Sequence, residues 1–290
     1  MCVTCGCSDD AESKINNPET GEVTHHHHTH TLADGTVITH FHSHEHHTEV
    51  SQIHAKIHNT TISLEQNILA KNNLLAAQNR GWFKGRNILA LNLMSSPGAG
   101  KTTLLTRTIN DLKAQIYISV IEGDQETTND AQKIQETGCK VVQINTGTGC
   151  HLDASMIDRG LQQLNPPLNS VVMIENVGNL VCPALFDLGE QAKVVILSVT
   201  EGEDKPIKYP HMFRASEVMI LTKIDLLPYV QFDLQKCIKY AQEVNPEIQI
   251  FQVSATTGTG LDSWYSWLSQ KVADFQPPAK QVGTRANTAR

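Results

Sequence analysis

The sequence predicts an α/β fold with a mostly parallel sheet and helices on both faces. Short, continuous apolar runs alternate with helical segments from residue 86 onward, and one run leads directly into a glycine-rich loop. Strands that are buried on both faces are continuously apolar, and such sheets carry helices on each side. The first 50 residues differ, because they contain almost no aliphatic runs and cannot bury enough surface to offset the entropy of ordering.

Four regions follow from this division. Residues 1–50 are predicted to be a disordered, metal-binding region rich in cysteine and histidine, and residues 277–290 a flexible, polar tail. Residues 51–85 are predicted to form a helical preface that packs on the next domain, and Gly81 marks the predicted end of its helix. Its apolar residues recur at near-helical spacing and are Ile53, Ile57, Leu64, Ile68 and Leu75.

Residues 86–276 form the predicted α/β domain. Its first strand is the apolar run 88–94, and the glycine-rich loop after it leads into a helix over 102–114. The last helix is predicted from Leu261 to Val272. The other strands are predicted at 116–121, 140–144, 170–174, 193–199, 217–222 and 248–253. Helical segments lie between most of them, as parallel pairing requires.

Composition limits both the function and the location of the chain. The formal net charge is -7, which argues against nonspecific binding to nucleic acid or to anionic lipid. No apolar stretch approaches the roughly 20 residues that span a bilayer, and no secretory signal is visible. The 7 cysteines are therefore expected to be reduced thiols, of which Cys139 and Cys237 are interpreted as structural. We expect a cytoplasmic protein that binds neither nucleic acid nor a membrane.

The run Ser-Ser-Pro-Gly-Ala-Gly-Lys-Thr at 95–102 is a phosphate-binding loop, which places the domain in the P-loop NTPase class. Main-chain N–H groups and the start of the next helix face the phosphates, Lys101 neutralises their charge, and the Thr102 hydroxyl holds Mg²⁺. The pattern has glycine at its first position, where this chain has Ser95; serine fits there if its φ stays negative. The predicted nucleotide contacts of this loop are Gly98, Ala99, Gly100, Lys101, Thr102 and Thr103.

The base is predicted to be guanine, so the nucleotide is GTP or GDP. Residues 221–225 resemble the guanine-reading Asn-Lys-x-Asp pattern of GTPases, with Thr222 in place of asparagine and with Lys223 retained. Asp225 is a pure acceptor that can take two hydrogen bonds from guanine; the alternative is an ordinary carboxylate at the start of a helix. Ser254 and Ala255 follow the last strand and suit a main-chain contact to the guanine carbonyl oxygen.

Two acidic segments that follow strands are candidates for contacting Mg²⁺ and the γ-phosphate. Within residues 122–130, Asp124 is the predicted Mg²⁺ ligand, directly or through water, whereas Asp130 fits either this role or a charge on a helix face. After the strand at 170–174, Glu175 is predicted to position Mg²⁺ or water, and the N–H of Gly178 to sense the γ-phosphate. The predicted catalytic residues are Lys101, Thr102, Asp124 and Glu175.

Cys150, His151 and Cys182 are predicted to form a metal site beside the nucleotide. They follow two strands of the sheet, and in a parallel sheet the phosphate loop lies at the same carboxyl edge. Two thiolates and an imidazole suit Zn²⁺ or Ni²⁺, and three ligands leave one position open to water or to a residue of a second subunit. Taken singly, each cysteine is more often a buried, small apolar residue.

The N-terminal region carries two further sets of ligands. Cys2, Cys5 and Cys7 suit a tight thiolate site, and neighbouring amide nitrogens would favour Ni²⁺ over Zn²⁺; the alternative is a reactive, unstructured tail. A histidine tract would bind several ions at modest affinity, as a store or buffer. Its predicted ligands are His25, His26, His27, His28, His30, His40, His42, His44, His46 and His47.

Together these motifs resemble those of the HypB family, the GTPases that incorporate nickel into hydrogenases. The resemblance covers essentially the whole chain and is carried by the Cys2-x-x-Cys5-Gly6-Cys7 cluster, the histidine-rich insert, the phosphate loop, and residues 122–125, 150–151 and 175–180. It implies a nucleotide-dependent homodimer that loads nickel into the large subunit of nickel–iron hydrogenase, alongside a HypA-type metallochaperone.

The same resemblance implies the position of several residues in the dimer. Cys150, His151 and Cys182 would form their metal site at the dimer interface. Residues just after Asp225 would lie in the contact surface, and Lys208 would reach the nucleotide of the neighbouring subunit. The contact residues implied in this way are Leu226, Leu227 and Val230.

Three functional hypotheses follow from the sequence. The first is a metal-delivering GTPase, in which GTP binding clamps the dimer and hydrolysis alters the geometry of the internal metal site. The second is a nickel-sequestering protein whose working part is the histidine tract at 25–47. The third is a urease-type nickel-loading GTPase, against which the cysteine cluster at 2–7 argues.

Overall fold

The computed structural model describes residues 66–125 and 129–275 with their side chains. Of the preceding part it describes only the main chain, at 14–16, 23–25, 28–31, 37–40 and 48–65. The chain divides into two compact units, Met1–Ile68 and Leu69–Arg290.

The described main chain of the first unit contains two antiparallel strand pairs. Strand β1 (Lys14–Asn16) pairs with β2 (Val23–His25), and β3 (His28–Thr31) pairs with β4 (Val37–His40). The cysteine cluster at 2–7, most of the histidine ligands and the tail at 277–290 lie outside the described residues, and for His25, His28, His30 and His40 only the main chain is described. The predictions for these segments therefore stay predictions.

A long helix, α1 (Thr48–Gly85), leads into the second unit. The predicted end at Gly81 is wrong, because the helix continues for one more turn. Phe83 in that turn is fully buried and belongs to the core of the second unit, and Trp82 packs against the same core. Burial of these aromatic side chains outweighs the weak helix propensity of a single glycine.

The second unit is built on a seven-stranded sheet in the order β11-β10-β9-β5-β8-β6-β7. All neighbouring strands are parallel. Each strand begins within about two residues of its predicted start, as expected for short, continuously apolar segments. The strands are β5 (Leu89–Ser95), β6 (Ile118–Asp124), β7 (Lys140–Asn145), β8 (Val171–Glu175), β9 (Ala192–Ser198), β10 (Val218–Thr222) and β11 (Gln249–Gln252).

Helices connect these strands and cover both faces of the sheet. They are α2 (Lys101–Leu112), α3 (Asn129–Glu136), α4 (Ala154–Leu164), α5 (Cys182–Leu185), α6 (Lys205–Lys208), α7 (Pro210–Ala215), a 3₁₀ helix (Ile224–Tyr229), α8 (Leu234–Val244) and α9 (Leu261–Phe275). Among the described residues, no helix combines the length and the apolarity needed to cross a membrane.

Alternate residues of the strands point to opposite faces, so the sheet separates distinct apolar clusters. On one face Leu91 and Ile196 pack with apolar residues of α2 and α9. On the other face Ile174 packs with residues of α1 and α4, while Val195 and Leu221 pack with residues of α7 and α8. The predicted fold class, a parallel sheet with helices on both faces, is confirmed.

Candidate functional site

The phosphate-binding loop connects β5 to α2 at the middle of the sheet's carboxyl edge. Gly98 and Gly100 have φ of 76° and 90°, values that a residue with a side chain rarely adopts. Ser95 occupies the position where the pattern has glycine. It lies within β5, is not among the residues with positive φ, and donates a hydrogen bond to the carbonyl oxygen of Ser96 at 2.7 Å. Serine therefore fits this position without backbone strain.

A cleft of about 500 Å³ opens above this loop. Most of the predicted nucleotide contacts line it, together with Asp124, the predicted Mg²⁺ ligand, and Glu175, which is predicted to position Mg²⁺ or water. Glu122 also lines the cleft, although no role is predicted for it from the sequence. The lining residues predicted to contact nucleotide are Gly98, Ala99, Gly100, Lys101, Thr102, Thr103, Gly178 and Lys223.

Glu175 organises the polar groups at the floor of the cleft. Its Oε1 accepts a hydrogen bond from the Thr102 hydroxyl at 2.6 Å and lies 3.5 Å from the Lys101 ammonium. Burial raises the pKa of Glu175, while Lys101 and Thr102 act in the opposite direction. The carboxyl is thus held between the P-loop lysine and the P-loop threonine.

Glu122 is the register partner of Glu175 on the adjacent strand β6. Burial, followed by the charge of Glu175, raises the pKa of Glu122 to about 8. Among the described residues, one oxygen of each carboxyl, Oε2, is buried without a hydrogen-bond partner. Buried carboxylate oxygens that lack partners are suited to a hard cation such as Mg²⁺, so these residues fit the predicted metal of the nucleotide.

The predicted base-binding residues lie at the ends of β10 and β11. The Thr222 hydroxyl donates to the carbonyl oxygen of Ala99 at 2.6 Å, and the Lys223 ammonium donates to that of Gly98 at 2.8 Å. These bonds tie the end of β10 to the phosphate-binding loop. They show that threonine, in the place of asparagine, can fasten that loop through its hydroxyl.

Asp225, Ser254 and Ala255 do not line the cleft described above. Asp225 lies in the first turn of the 3₁₀ helix that follows β10. The N–H of Ile224 donates to the carbonyl oxygen of Val253 at 3.3 Å, which brings the two strand ends side by side. The structure therefore groups these three residues next to the phosphate-binding loop, and their contact with guanine stays a prediction.

The three predicted ligands of the internal metal site come together. The possible ligand atoms of Cys150, His151 and Cys182 lie within 4.8 Å of one another, and no other such group occurs among the described residues. The two Sγ atoms are 3.0 Å apart, and Cys150 Sγ lies 3.6 Å from His151 Nδ1. To bind one tetrahedral ion such as Zn²⁺, with metal–ligand bonds of about 2.0–2.3 Å, the two sulfur atoms would have to lie somewhat farther apart than they do here.

The surroundings of the imidazole favour its neutral, metal-binding form. The ring of His151 stacks on the ring of Phe186, with centroids 3.9 Å apart. Burial lowers the pKa of His151, although Asp153 acts against this shift. A neutral imidazole offers a lone pair to a metal ion. Sequence reasoning missed Phe186, since a single aromatic residue carries no signal of which ring it will contact.

The remaining described cysteines are buried away from this site. Cys139 lies just before β7 and Cys237 lies on α8. Burial raises the pKa of each thiol to about 12. Both are therefore protonated at neutral pH and pack as small apolar residues.

The nucleotide cleft and the metal ligands share one edge of the sheet. The phosphate-binding loop follows β5, Cys182 follows the adjacent strand β8, and Cys150 and His151 follow β7. Gly178, on the connection between β8 and Cys182, touches the phosphate-binding loop: a Cβ added there would lie 3.1 Å from Pro97 N. The structure thus places the phosphate-binding loop and the three candidate metal ligands at the same edge of the sheet.

The contact residues that the family resemblance implies after Asp225 pack against one apolar cluster of the sheet. Leu226, Leu227 and Val230 are partly buried against the cluster formed with α7 and α8. Tyr229 between them is 83% exposed. Lys208 forms an exposed ion pair with Asp204, Nζ to Oδ2, at 2.5 Å. A role for these residues between subunits stays a prediction.

Comparison with known proteins relates the chain to one family. Residues 89–252 match the nucleotide-binding domain of the CobW/HypB/UreG family. The hydrogenase maturation factor HypB of Escherichia coli (strain K12) is 58% identical over 71% of this chain and 71% of its own length. The HypB of Cupriavidus necator is 43% identical in an alignment that covers 100% of this chain and 94% of its own.

A solved structure agrees with these sequence relationships. The crystal structure of HypB from Helicobacter pylori in complex with nickel has a TM-score of 0.66 and 36% identity to this chain. The match covers 72% of this chain and 98% of the crystallised one. The alignment thus supports both the fold and the family.

Proposed function

This chain belongs to the HypB family of hydrogenase maturation factors, and on that premise we propose that it is a GTP-hydrolysing nickel metallochaperone. It would deliver nickel to the large subunit of nickel–iron hydrogenase. One observation carries the proposal: a nucleotide cleft and a Cys–His–Cys group lie on the same edge of one sheet. A ligand in either site can therefore affect the other through a short path.

The cleft supplies the groups that binding and hydrolysis of GTP require. Main-chain N–H groups of the phosphate-binding loop and the start of α2 would hold the phosphates, and Lys101 would neutralise their charge. The N–H of Gly178, a residue that lines the cleft, would face the γ-phosphate. On the base side, Asp225 would accept hydrogen bonds from guanine, with Ser254 and Ala255 beside it.

Mg²⁺ would be held by Thr102 and Asp124, with Glu175 positioning either the ion or water. When bound, the ion supplies charge neutralisation at the phosphates. The chain's own residues do the rest: Glu175 fixes the direction of the Thr102 hydroxyl through a 2.6 Å hydrogen bond. The same carboxylate keeps the Lys101 ammonium at the floor of the cleft, 3.5 Å away.

Cys150, His151 and Cys182 would bind the cargo ion. Two thiolates and a neutral imidazole suit Ni²⁺ and also Zn²⁺, and the nickel complex of the Helicobacter pylori relative supports nickel. With only three ligands from one chain, the fourth position would be completed by water or by a second subunit. We propose a nucleotide-dependent homodimer, with a HypA-type metallochaperone and the hydrogenase large subunit as its partners.

The N-terminal ligands would serve supply and storage. Cys2, Cys5 and Cys7 would form a high-affinity site, and the histidine tract would hold several ions weakly. Hydrolysis and storage are separable functions, since they use different parts of the chain. The relatives from Escherichia coli and Cupriavidus necator are named hydrogenase maturation factors, which supports hydrogenase as the recipient.

The test compares hydrolysis, nickel content and hydrogenase maturation in three variants. Lys101→Ala should abolish GTP hydrolysis and maturation, because it removes the positive charge at the phosphates. Cys150→Ala should retain hydrolysis but lose the internal nickel ion and maturation. Lys113→Ala is the matched control, since Lys113 is exposed at the far end of the same helix region. Unchanged hydrolysis in Lys101→Ala would contradict the assignment of the cleft.

A further inference from the structure

A single buried amide connects the phosphate-facing loop to the metal-ligand loop. Asn176 follows Glu175 at the end of β8, and its side chain is only 1% exposed. Its Oδ1 accepts hydrogen bonds from the N–H of Leu152 at 3.1 Å and from the N–H of Val177 at 3.0 Å. Two main-chain N–H groups can face only an oxygen, so these contacts fix the orientation of the amide.

The two N–H groups belong to the two sites. Val177 precedes Gly178, and both residues line the nucleotide cleft. Leu152 follows His151 directly, so its position sets that of the imidazole and of Cys150. A single side-chain oxygen, Asn176 Oδ1, therefore bonds both the main chain at the cleft and the main chain beside the candidate metal ligands.

The other hydrogen bonds of Asn176 hold it against strand β5. Its Nδ2 donates to Asn92 Oδ1 at 3.1 Å, and its main-chain N–H donates to the carbonyl oxygen of Leu93 at 3.0 Å. Both acceptors belong to β5, the strand that ends in the phosphate-binding loop. The amide that bonds both Val177 and Leu152 is thus tied to the strand that ends in the phosphate-binding loop.

The same connection reaches the third ligand. Cys182 lies a few residues beyond Gly178, and the loop between them is held by Asn179, whose Oδ1 accepts from the N–H of Val181 at 2.7 Å and of Cys182 at 3.4 Å. A shift of Gly178 toward or away from the phosphates would thus move one thiol through the main chain. Through Asn176 it would also move the imidazole and the other thiol.

We propose that Asn176 is the positioning residue that couples the γ-phosphate to the Cys150–His151–Cys182 site. This inference rests on the proposed function and specifies how its two sites communicate. Coupling between two sites typically changes affinity by roughly 5- to 150-fold, and the change is reciprocal. The coupling free energy would come from a difference in the geometry of the two loops between the GDP-bound and GTP-bound states. Asn176 is the residue that joins these loops directly.

The experiment measures the nickel dissociation constant of the full chain by competition with a chromophoric chelator. It is measured once with Mg²⁺ and GDP and once with Mg²⁺ and a nonhydrolysable GTP analogue. Each protein is paired with a version that also carries Cys150→Ala. The nickel binding that this second change removes is assigned to the internal site, and the binding that remains is assigned to the N-terminal ligands. The ratio of the two constants is the coupling factor.

In the wild type this ratio should differ from one by roughly 5-fold or more. In Asn176→Ala it should fall to about one, with nickel still bound. Asn179→Ala is the matched control: it loosens the loop near Cys182 without touching Leu152 or Val177, so it should weaken binding equally in both nucleotide states and keep the ratio. A residue with a merely structural role would behave like Asn179.

The outcomes separate the inference from the proposed function. A wild-type ratio of one would contradict the proposed coupling of nucleotide to metal itself. A wild-type ratio that persists in Asn176→Ala would overturn the role of Asn176 and leave the proposed function standing. If Asn176→Ala does not fold, Asn176→Ser, whose shorter side chain cannot bond both Val177 and Leu152, should also bring the ratio to about one; a folded Asn176→Ser variant that keeps the wild-type ratio would overturn the inference.

Discussion

At the scale of single residues, the cleft concentrates groups that are unfavourable for folding alone. Glu122 and Glu175 lie side by side on β6 and β8, and burial raises the pKa of both. Each has a buried oxygen without a partner among the described residues. An uncompensated buried polar atom costs about 1–3 kcal/mol. A cation bound in the cleft would supply the missing partner of such an oxygen.

The first prediction concerns Gly178. A Cβ at this position would lie 3.1 Å from both N and Cα of Pro97, which is closer than ordinary contact and involves main-chain atoms. Gly178→Ala should displace the phosphate-binding loop at a cost of about 1–3 kcal/mol. The affinity for a fluorescent GTP analogue, measured by titration, should therefore fall. Equal affinity in variant and wild type would show that the loop tolerates the methyl group.

At the scale of elements, the C-terminal part of α1 clamps the loops that carry the metal ligands. Asn72 Nδ2 donates to the carbonyl oxygen of Asp187 at 2.7 Å, and its Oδ1 accepts from the N–H of Ala154 at 2.9 Å. Asn79 Nδ2 donates to the carbonyl oxygens of Ala154 at 2.9 Å and Leu188 at 3.1 Å. The helix thus ties the segment after His151 to the segment after Phe186.

The second prediction tests this clamp. Asn79→Ala removes the buried side-chain donor to the carbonyl oxygens of Ala154 and Leu188, so it should lower the free energy of unfolding by about 1–3 kcal/mol. Asn72→Ala should have an effect of the same size and should also weaken nickel binding at the internal site. Urea unfolding and chelator competition measure the two effects. Asn73→Ala, at an exposed neighbouring position on α1, should change stability by no more than about 0.5 kcal/mol.

The third prediction also concerns α1. Gly81 lies inside the helix, is exposed, and has no atom within 4 Å of the position that a Cβ would take. Gly81→Ala should therefore stabilise the protein by about 0.5–1 kcal/mol, because alanine loses less backbone entropy on folding. The midpoint of urea unfolding should rise. A lower midpoint would mean that the helix needs glycine at this position.

At the scale of the whole molecule, the nucleotide cleft and the internal metal group both belong to the unit Leu69–Arg290. Every hydrogen bond described above as joining them lies within that unit. The histidine tract belongs to the other unit, Met1–Ile68. Hydrolysis and delivery should therefore be separable from storage.

The fourth prediction follows from this division. Deletion of residues 25–47 should lower the number of nickel ions bound per chain, because it removes ten of the 14 histidines. GTP hydrolysis and the coupling of nucleotide to the internal site should be unchanged. Equilibrium dialysis and a phosphate-release assay measure these quantities. A large loss of hydrolysis in the deletion variant would show that the two units depend on each other.

Much of the fold and of the site is predictable from local sequence. The strands of the sheet are short apolar runs, so β5 and β8 were located to within a residue or two. The phosphate-binding loop is a contiguous motif, and Cys150, His151 and Cys182 follow strands whose ends must share one edge. Because the strands are parallel, residues that follow different strands lie at the same edge of the sheet.

The sequence does not reveal which distant residue each buried side chain contacts. Phe186 beneath His151, Asn79 beneath Ala154, and Glu122 beside Glu175 are pairings between segments that are far apart in the chain. The amide of Asn176 stands next to a strand end in the sequence, but nothing local reveals that it bonds Leu152.

The sequence by itself determined the parallel fold and the phosphate-binding loop, and it singled out the candidate metal ligands, because each depends on short-range pattern or on the residue types that chemistry requires. Only the tertiary structure decided how the two sites are joined and which helix braces them. Those features depend on hydrogen bonds between distant segments, and their geometry is set by the packing of the whole domain.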